Sequence, residues 1–211
     1  MLGILEYEEE GGDFVLPEVV TYLYSAGNHR RRLIFRIIFQ CAPFLKGLKV
    51  SAMLSLEYEE LSELDDIFAG TGVKCRILAE CRGKELVLLY RERALKSCLN
   101  RKDVGKFLED LGYIGQNMEE VFLRLSIRIR QCYKNGDFPH EIGIFLDYPL
   151  EDVRGFIRED GKNSLLNGYW KVYHNPGKAQ MTFYAYDKAK VSAVNEFLLG
   201  KPIRDIVCDF S

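Results

Sequence analysis

"VKCRILAECRGKELVLLYRERAL", residues Val73 to Leu95, decides what this chain can fold into. Two runs rich in Val, Ile, Leu and Tyr are joined at Arg82-Gly83-Lys84, and a glycine between two strand-like runs is the signal of a β-hairpin. Just upstream, "LKVSAMLSL" (Leu48–Leu56) alternates apolar and polar residues as a third strand would. Between them "EYEELSELDDIFAGTG" places Leu61, Leu64, Ile67 and Phe68 at helical spacing before a glycine stop. Residues 48–95 therefore read strand, helix, strand, strand. A crossover through a helix is expected to leave its strands parallel, and a hairpin antiparallel, so the expectation is a small mixed sheet.

Helices flank this segment. "LPEVVTYLYSAGN" reads as a short helix with Pro17 in its first turn and Gly27-Asn28 at its end. "HRRRLIFRIIFQCAPFLKG" carries Leu33, Ile34, Ile37, Ile38 and Cys41 on one broad apolar face, with Pro43 and Gly47 expected to end it. The basic run His29–Arg32 at its start opposes the helix dipole and reads either as a solvated first turn or as an anion contact. Further on, "NRKDVGKFLEDLGY" predicts a helix capped at Asn100 and stopped at Gly112. "NMEEVFLRLSIRIRQCYKNG" predicts another between Asn117 and Gly136, although Leu123 to Ile129 also alternates like a strand. "GYWKVY" (Gly168–Tyr173) reads as a short strand, and a long helix runs from about Lys178 to Leu199 before Gly200 and Pro202.

No repeat, low-complexity tract or linker interrupts the 211 residues, which predicts one α+β domain with a helical C-terminal third. Its parts are N-terminal helices (17–46), a sheet region (48–95), a helical region (100–160), and a strand with the C-terminal helix (168–200). A net charge of −2 argues against a general nucleic-acid binder, which needs excess Lys and Arg facing phosphates. The most apolar window is broken by Arg36 and Pro43, so no membrane span is expected. An acidic N-terminal flank is unlike a signal peptide, and six cysteines without a CxxC pair read as reduced thiols. Together these predict a cytoplasmic protein.

The order "CAPFLKGLK", "ELVLLYRERAL", "GKFLEDLGY", "FPHEIGIFLDYPLEDVRGFI", "GKN", "GYWKVY" resembles a family of uncharacterised bacterial proteins, domain of unknown function 3793. The likeness spans about Gln40 to Tyr186. It implies a unified fold and carries no activity and no catalytic residues. Two positions depart from the family pattern: Asp147 stands where the pattern has Gly, and Val50 where it has Pro, so the turns there are expected to be built differently.

"PHEIGIFLDYPLEDV" (Pro139–Val153) raises the question of catalysis because His140-Glu141 begins a zinc-protease signature. That signature needs a second His four residues on, and position 144 is Ile144, so the zinc reading fails. The stretch reads instead as a corner between two short helices, broken at Asp147-Tyr148-Pro149. Pro149 starts the second helix, Glu151 and Asp152 complement its dipole, and Leu150, Val153, Phe156 and Ile157 form its inward stripe. Gly143 and Gly155 permit close backbone packing.

Candidate site residues fall into three sets. Lys46, Lys49 and Arg91 are expected to share a cationic corner at the end of a strand, where α/β sites often lie. Lys162, Asn163 and Lys171 surround Trp170, and an aromatic wall beside cations suits a planar anion, although strand alternation makes Trp170 a core residue. Cys41, His140 and Glu141 are candidates for a thiol or acid–base enzyme. Cys41 follows a helix and precedes Lys46 and Lys49, whose charge favours a thiolate while the helix C-terminus opposes it.

Three function classes follow. The first is a non-catalytic module binding a small anionic ligand or a protein partner. The second is an enzyme on Cys41 and His140. The third is a metal- or haem-handling protein using His140 and a cysteine, a ligand pair that suits iron or zinc. No cofactor or dedicated metal site is assigned from the residues.

Overall fold

The computed structural model describes residues 17–25, 27–114, 117–134 and 136–208; the acidic start (6–13) lies outside the described residues. Its centre is a three-stranded sheet of β1 (Ser51–Leu56), β2 (Lys74–Cys81) and β3 (Lys84–Tyr90), in the order β1-β3-β2. The β2–β3 hairpin closes through Arg82 and Gly83, both with positive φ (56° and 74°), a two-residue turn whose twist matches the strands.

The α+β class of the sequence reading holds, with one difference in the sheet. β1 and β2 do run the same way, but β3 lies between them, so both hydrogen-bonded ladders are antiparallel. The reason is legible in β3. Leu86 through Tyr90 are all buried, a run apolar on both faces that only a central position can satisfy.

Strand alternation sends these side chains into two cores. Val87 and Leu89, with Ala52, Leu54 and Leu56, meet α2 (His29–Leu45), α9 (Pro176–Leu198) and α10 (Ile203–Ile206). Leu86, Leu88 and Tyr90 meet α4 (Glu92–Leu99), α5 (Lys102–Asp110), α6 (Met118–Lys134), α7 (Ile142–Phe145) and α8 (Leu150–Arg158) on the other face. The remaining elements are α1 (Pro17–Ser25), α3 (Leu61–Ile67) behind a 3-10 turn, and a small hairpin of β4 (Leu166–Asn167) and β5 (Lys171–Val172).

Several boundaries differ from the sequence reading for local reasons. α2 runs through Pro43 to Leu45, since a proline near a helix end costs only a hydrogen bond that is about to lapse. The third strand stops at Tyr90, and Glu92 to Leu95 belong to α4 instead. Asn100 closes α4, and Arg101 occupies the N-cap of α5. The ambiguous stretch Leu123–Ile129 is helical. Its buried residues, Phe122, Leu125, Ser126 and Ile129, follow the helical period, and Leu123 and Ile127 point outward.

The first half of the basic start of α2 is spent on acids, while Arg31 lies over the Phe197 ring and Arg32 donates to the Gly27 carbonyl. His29 and Arg30 reach Glu63, Arg30 also reaches Asp66, and Arg36 pairs with the buried Glu60.

Pro139–Val153 forms the expected corner. α7 and α8 are separated by Asp147, whose φ of 64° is the left-handed conformation that reverses the chain. A Cβ on Gly143 would come within 2.8 Å of Val153 Cγ2, and one on Gly155 would collide with Tyr173. Of the predicted stripe, Leu150 and Val153 are buried and Ile157 is exposed. Asp152 does more than complement the dipole. It is buried and accepts hydrogen bonds from Trp170 Nε1 (2.7 Å), Tyr173 N (2.7 Å) and His174 N (2.8 Å). One carboxylate thus fastens the β4–β5 hairpin to the corner.

Candidate functional site

The turn after α2 delivers Lys49 to the corner, where it meets two regions distant in sequence. Its Nζ lies 5.1 Å from the ring centre of Tyr148, in the corner, and 5.9 Å from that of Tyr186, on α9. Among the described residues the ammonium donates no hydrogen bond and joins no ion pair. Its surroundings desolvate it and push its pKa down to about 8, a fall that the nearby Asp147 and Cys41 only partly offset. Part of the residue remains at the surface.

Asp147 lies close enough to this lysine to influence its charge, and its own contacts hold it in place. Its Oδ2 accepts the Val50 N–H at 3.2 Å, and its Oδ1 stands 3.8 Å from Cys98 Sγ. Burial raises its pKa, against the opposing pull of the Val50 amide and of Lys49. This hydrogen bond ties the turn after α2 to the corner. Cys41 sits beside Lys49 in the core, and burial pushes its thiol up to about 12 despite the lysine.

The aromatic wall extends beyond these residues. Tyr148 stacks on Trp170 (5.2 Å between ring centres), Trp170 meets Phe183 edge-on (4.6 Å), and Tyr186 meets Tyr169 edge-on (4.9 Å). Lys190, one turn after Tyr186, lies over Tyr169 (5.5 Å) and Phe39 (4.9 Å), and burial lowers its pKa too. Desolvated lysines thus flank both sides of one aromatic group.

The other expected site residues sit as follows. Lys46 pairs with Glu196. Arg91, buried at the end of β3, donates to the carbonyl oxygens of Phe44 (2.7 Å) and Cys208 (3.0 Å), and more weakly to that of Leu45 (3.5 Å). Lys162 pairs with Asp160 at 3.0 Å, Asn163 reaches Glu159 at 3.3 Å, and Lys171 Nζ donates to the Gly161 carbonyl at 2.7 Å. Lys162 and Asn163 sit on one exposed loop that Lys171 reaches from β5, whereas Trp170 turns inward to Asp152. Glu141 is buried between Arg128 (2.7 Å) and Tyr113 (3.1 Å), and His140 packs on Phe156 (4.9 Å between ring centres). Among the described residues no group of three or more His, Cys, Asp or Glu side chains could hold a metal ion.

A shallow hollow of about 280 Å³ lies elsewhere, lined by residues such as Leu64, Phe68, Lys74 and Tyr90. Cys75 and Asp65 also line it, and burial pushes the Cys75 thiol up to about 12.

Sequence reasoning reached Lys49 but not its company. Tyr148 and Asp147 lie about a hundred positions away, and Tyr186 looks like any apolar position of a long helix. A desolvated lysine has no local sequence signature.

The chain belongs to the family described as protein of unknown function (DUF3793), whose model matches residues 37–207. No curated protein and no solved structure matches it. No helix among the described residues is long and apolar enough to cross a membrane.

Proposed function

We propose that this chain is a cytoplasmic, non-catalytic binding module that receives the anionic group of a small ligand at Lys49, against the wall formed by Tyr148 and Tyr186. One observation carries this reading: the half-buried Lys49 ammonium lies over two tyrosine rings and, among the described residues, has no hydrogen-bond acceptor. Part of the residue remains at the surface, so its charge is open to an anionic partner. A carboxylate or phosphate would supply it, and the tyrosine rings would cover a flat ligand body. The six cysteines, none of them paired, accord with a reducing compartment.

The enzyme reading on Cys41 is less well supported, since burial holds that thiol far from the thiolate that attacks. Native mass spectrometry of the protein taken from its own host's lysate tests the binding reading. The wild-type chain should retain an anionic small molecule that the Lys49→Met chain lacks. A bare wild-type mass would turn the search towards a protein partner.

A further inference from the structure

We propose that this chain pairs with a second copy of itself, the open edge of β2 and the outer face of α6 meeting the same surfaces of the copy about a two-fold axis. The inference stands on elements separate from the Lys49 site and goes beyond the binding reading.

The sheet ends openly at β2. β3 takes one side of Lys74–Cys81, and among the described residues no backbone or side-chain group bonds to the main chain on its other side. Such an edge offers a row of N–H and C=O groups to another strand. Ile77 stands 48% exposed there.

α6 lies along the same edge. It packs on β2, and Glu119 in its first turn pairs with Arg76 of that strand at 2.7 Å. Glu119, Leu123, Ile127, Arg130 and Lys134 follow one another at three- and four-residue steps and so share one strip of the helix. On the opposite side Arg124 and Arg128 turn into the domain, to the Leu111 carbonyl and to Glu141. The strip therefore flanks the strand edge and faces away from the rest of the domain. Leu123 is 56% exposed on it and Ile127 36%, a pair of aliphatic side chains one turn apart on a helix whose other faces are committed.

Charge identifies the occupant. α6 is acidic at its start (Glu119, Glu120) and basic at its end (Arg130, Lys134), with Leu123 and Ile127 between. An antiparallel copy of the helix matches that pattern and a parallel one opposes it. A two-fold axis normal to the sheet runs the two β2 edges antiparallel and leaves both α6 helices side by side on one face. With the axis at the level of Leu125, Leu123 meets Ile127 of the second copy and Glu120 meets its Arg130, since each pair is evenly spaced about that residue. β2 repeats the pattern, with Lys74 and Arg76 in its first half and Glu80 in its second. The bulge between Ile77 and Ala79 keeps the strand contact short, so the helices carry the specificity. A strip about 25 Å long with one strand beside it makes a small interface, of the kind that associates weakly, in the micromolar range.

Sedimentation velocity of the whole chain over a concentration series is the test. The mass should climb from 24.4 kDa towards twice that value through the micromolar range, and less steeply in high salt, which screens exposed charges. Leu123→Asp, at a surface position, should weaken association at least about tenfold. Glu120→Lys and Arg130→Glu should each weaken it by setting like charges together. An equimolar mixture of those two chains should regain it, because both contacts become opposite in sign. A wild-type mass fixed at 24.4 kDa throughout overturns the proposal. A dimer that Leu123→Asp leaves intact overturns it too, as does a mixture of the charge variants no more associated than either alone. The wild-type series can refute it by itself, so a variant that fails to fold does not rescue the proposal.

Discussion

Lys46 and Lys49 leave the same turn of backbone after α2 and meet opposite fates. Lys46 pairs with Glu196, whose carboxylate also accepts from Lys201 (2.6 Å) and Ser192 (3.1 Å). Burial alone would raise the pKa of Glu196, yet these hydrogen bonds outweigh it and hold the carboxyl near about 2. Nearby Arg91, more deeply buried, spends its guanidinium on backbone carbonyls at the end of α2 and on Cys208. Lys49 is desolvated and has rings for neighbours instead of acceptors. Cations that are paired lock an architecture together; one that burial desolvates without an acceptor among the described residues costs stability instead.

The largest effect belongs to the locked region. Arg91→Met strands carbonyls of Phe44, Leu45 and Cys208 and should cost about 3 kcal/mol or more, read as a fall in the urea midpoint. A loss below about 1 kcal/mol would mean that water reaches those carbonyls readily. The opposite sign is expected at the waiting lysine. Lys49→Met should stabilise the protein by about 1–2 kcal/mol at pH 7, because the desolvation of the charge exceeds what two ring faces return. The folded pKa lies below the unfolded one, so the penalty is fully present below about 8 and fades as the pH rises towards 10.5. The gap between variant and wild type should therefore shrink over that window in thermal melts.

Glu196→Gln sharpens the contrast. It should cost about 1–2 kcal/mol at pH 7, less than Arg91→Met because part of the cluster is solvent-exposed. The depressed folded pKa makes this contribution complete above the unfolded value and progressively lost below it, so the cost of the substitution should shrink from pH 5 towards pH 3. Smallest of all, Lys162→Ala breaks only an exposed pair with Asp160 and should leave the urea midpoint where it is in the wild type. A lowered midpoint would give that loop a structural role that its exposure does not suggest.

The legible parts of this fold were those set by local rules. The Arg82-Gly83 turn, the corner at Asp147-Tyr148-Pro149 and the stop at Gly200 each follow from a backbone preference carried by one or two residues. What was hidden depended on partners far along the chain. That β3 inserts between β1 and β2 follows from both of its faces being apolar, a property that the hairpin signal outranked in the reading. Trp170 could be assigned to the core from strand alternation, but its anchor, Asp152, looked like a helix-start acid. The candidate cations shared one residue type and differed only in what surrounds them. No spacing rule separates Lys46, which finds Glu196 some 150 positions away, from Lys49, which among the described residues finds no acid within ion-pair range.

The most direct test of this contrast is a pH titration of the Lys49 side chain by NMR, with carbon-13 at Cε and the Lys49→Met chain to assign the signal. A midpoint near 8, while exposed lysines titrate near 10.5, is the predicted result. A midpoint of 10 or above would contradict it, showing that Lys49 has water or an acid for company and that nothing is left waiting at the site.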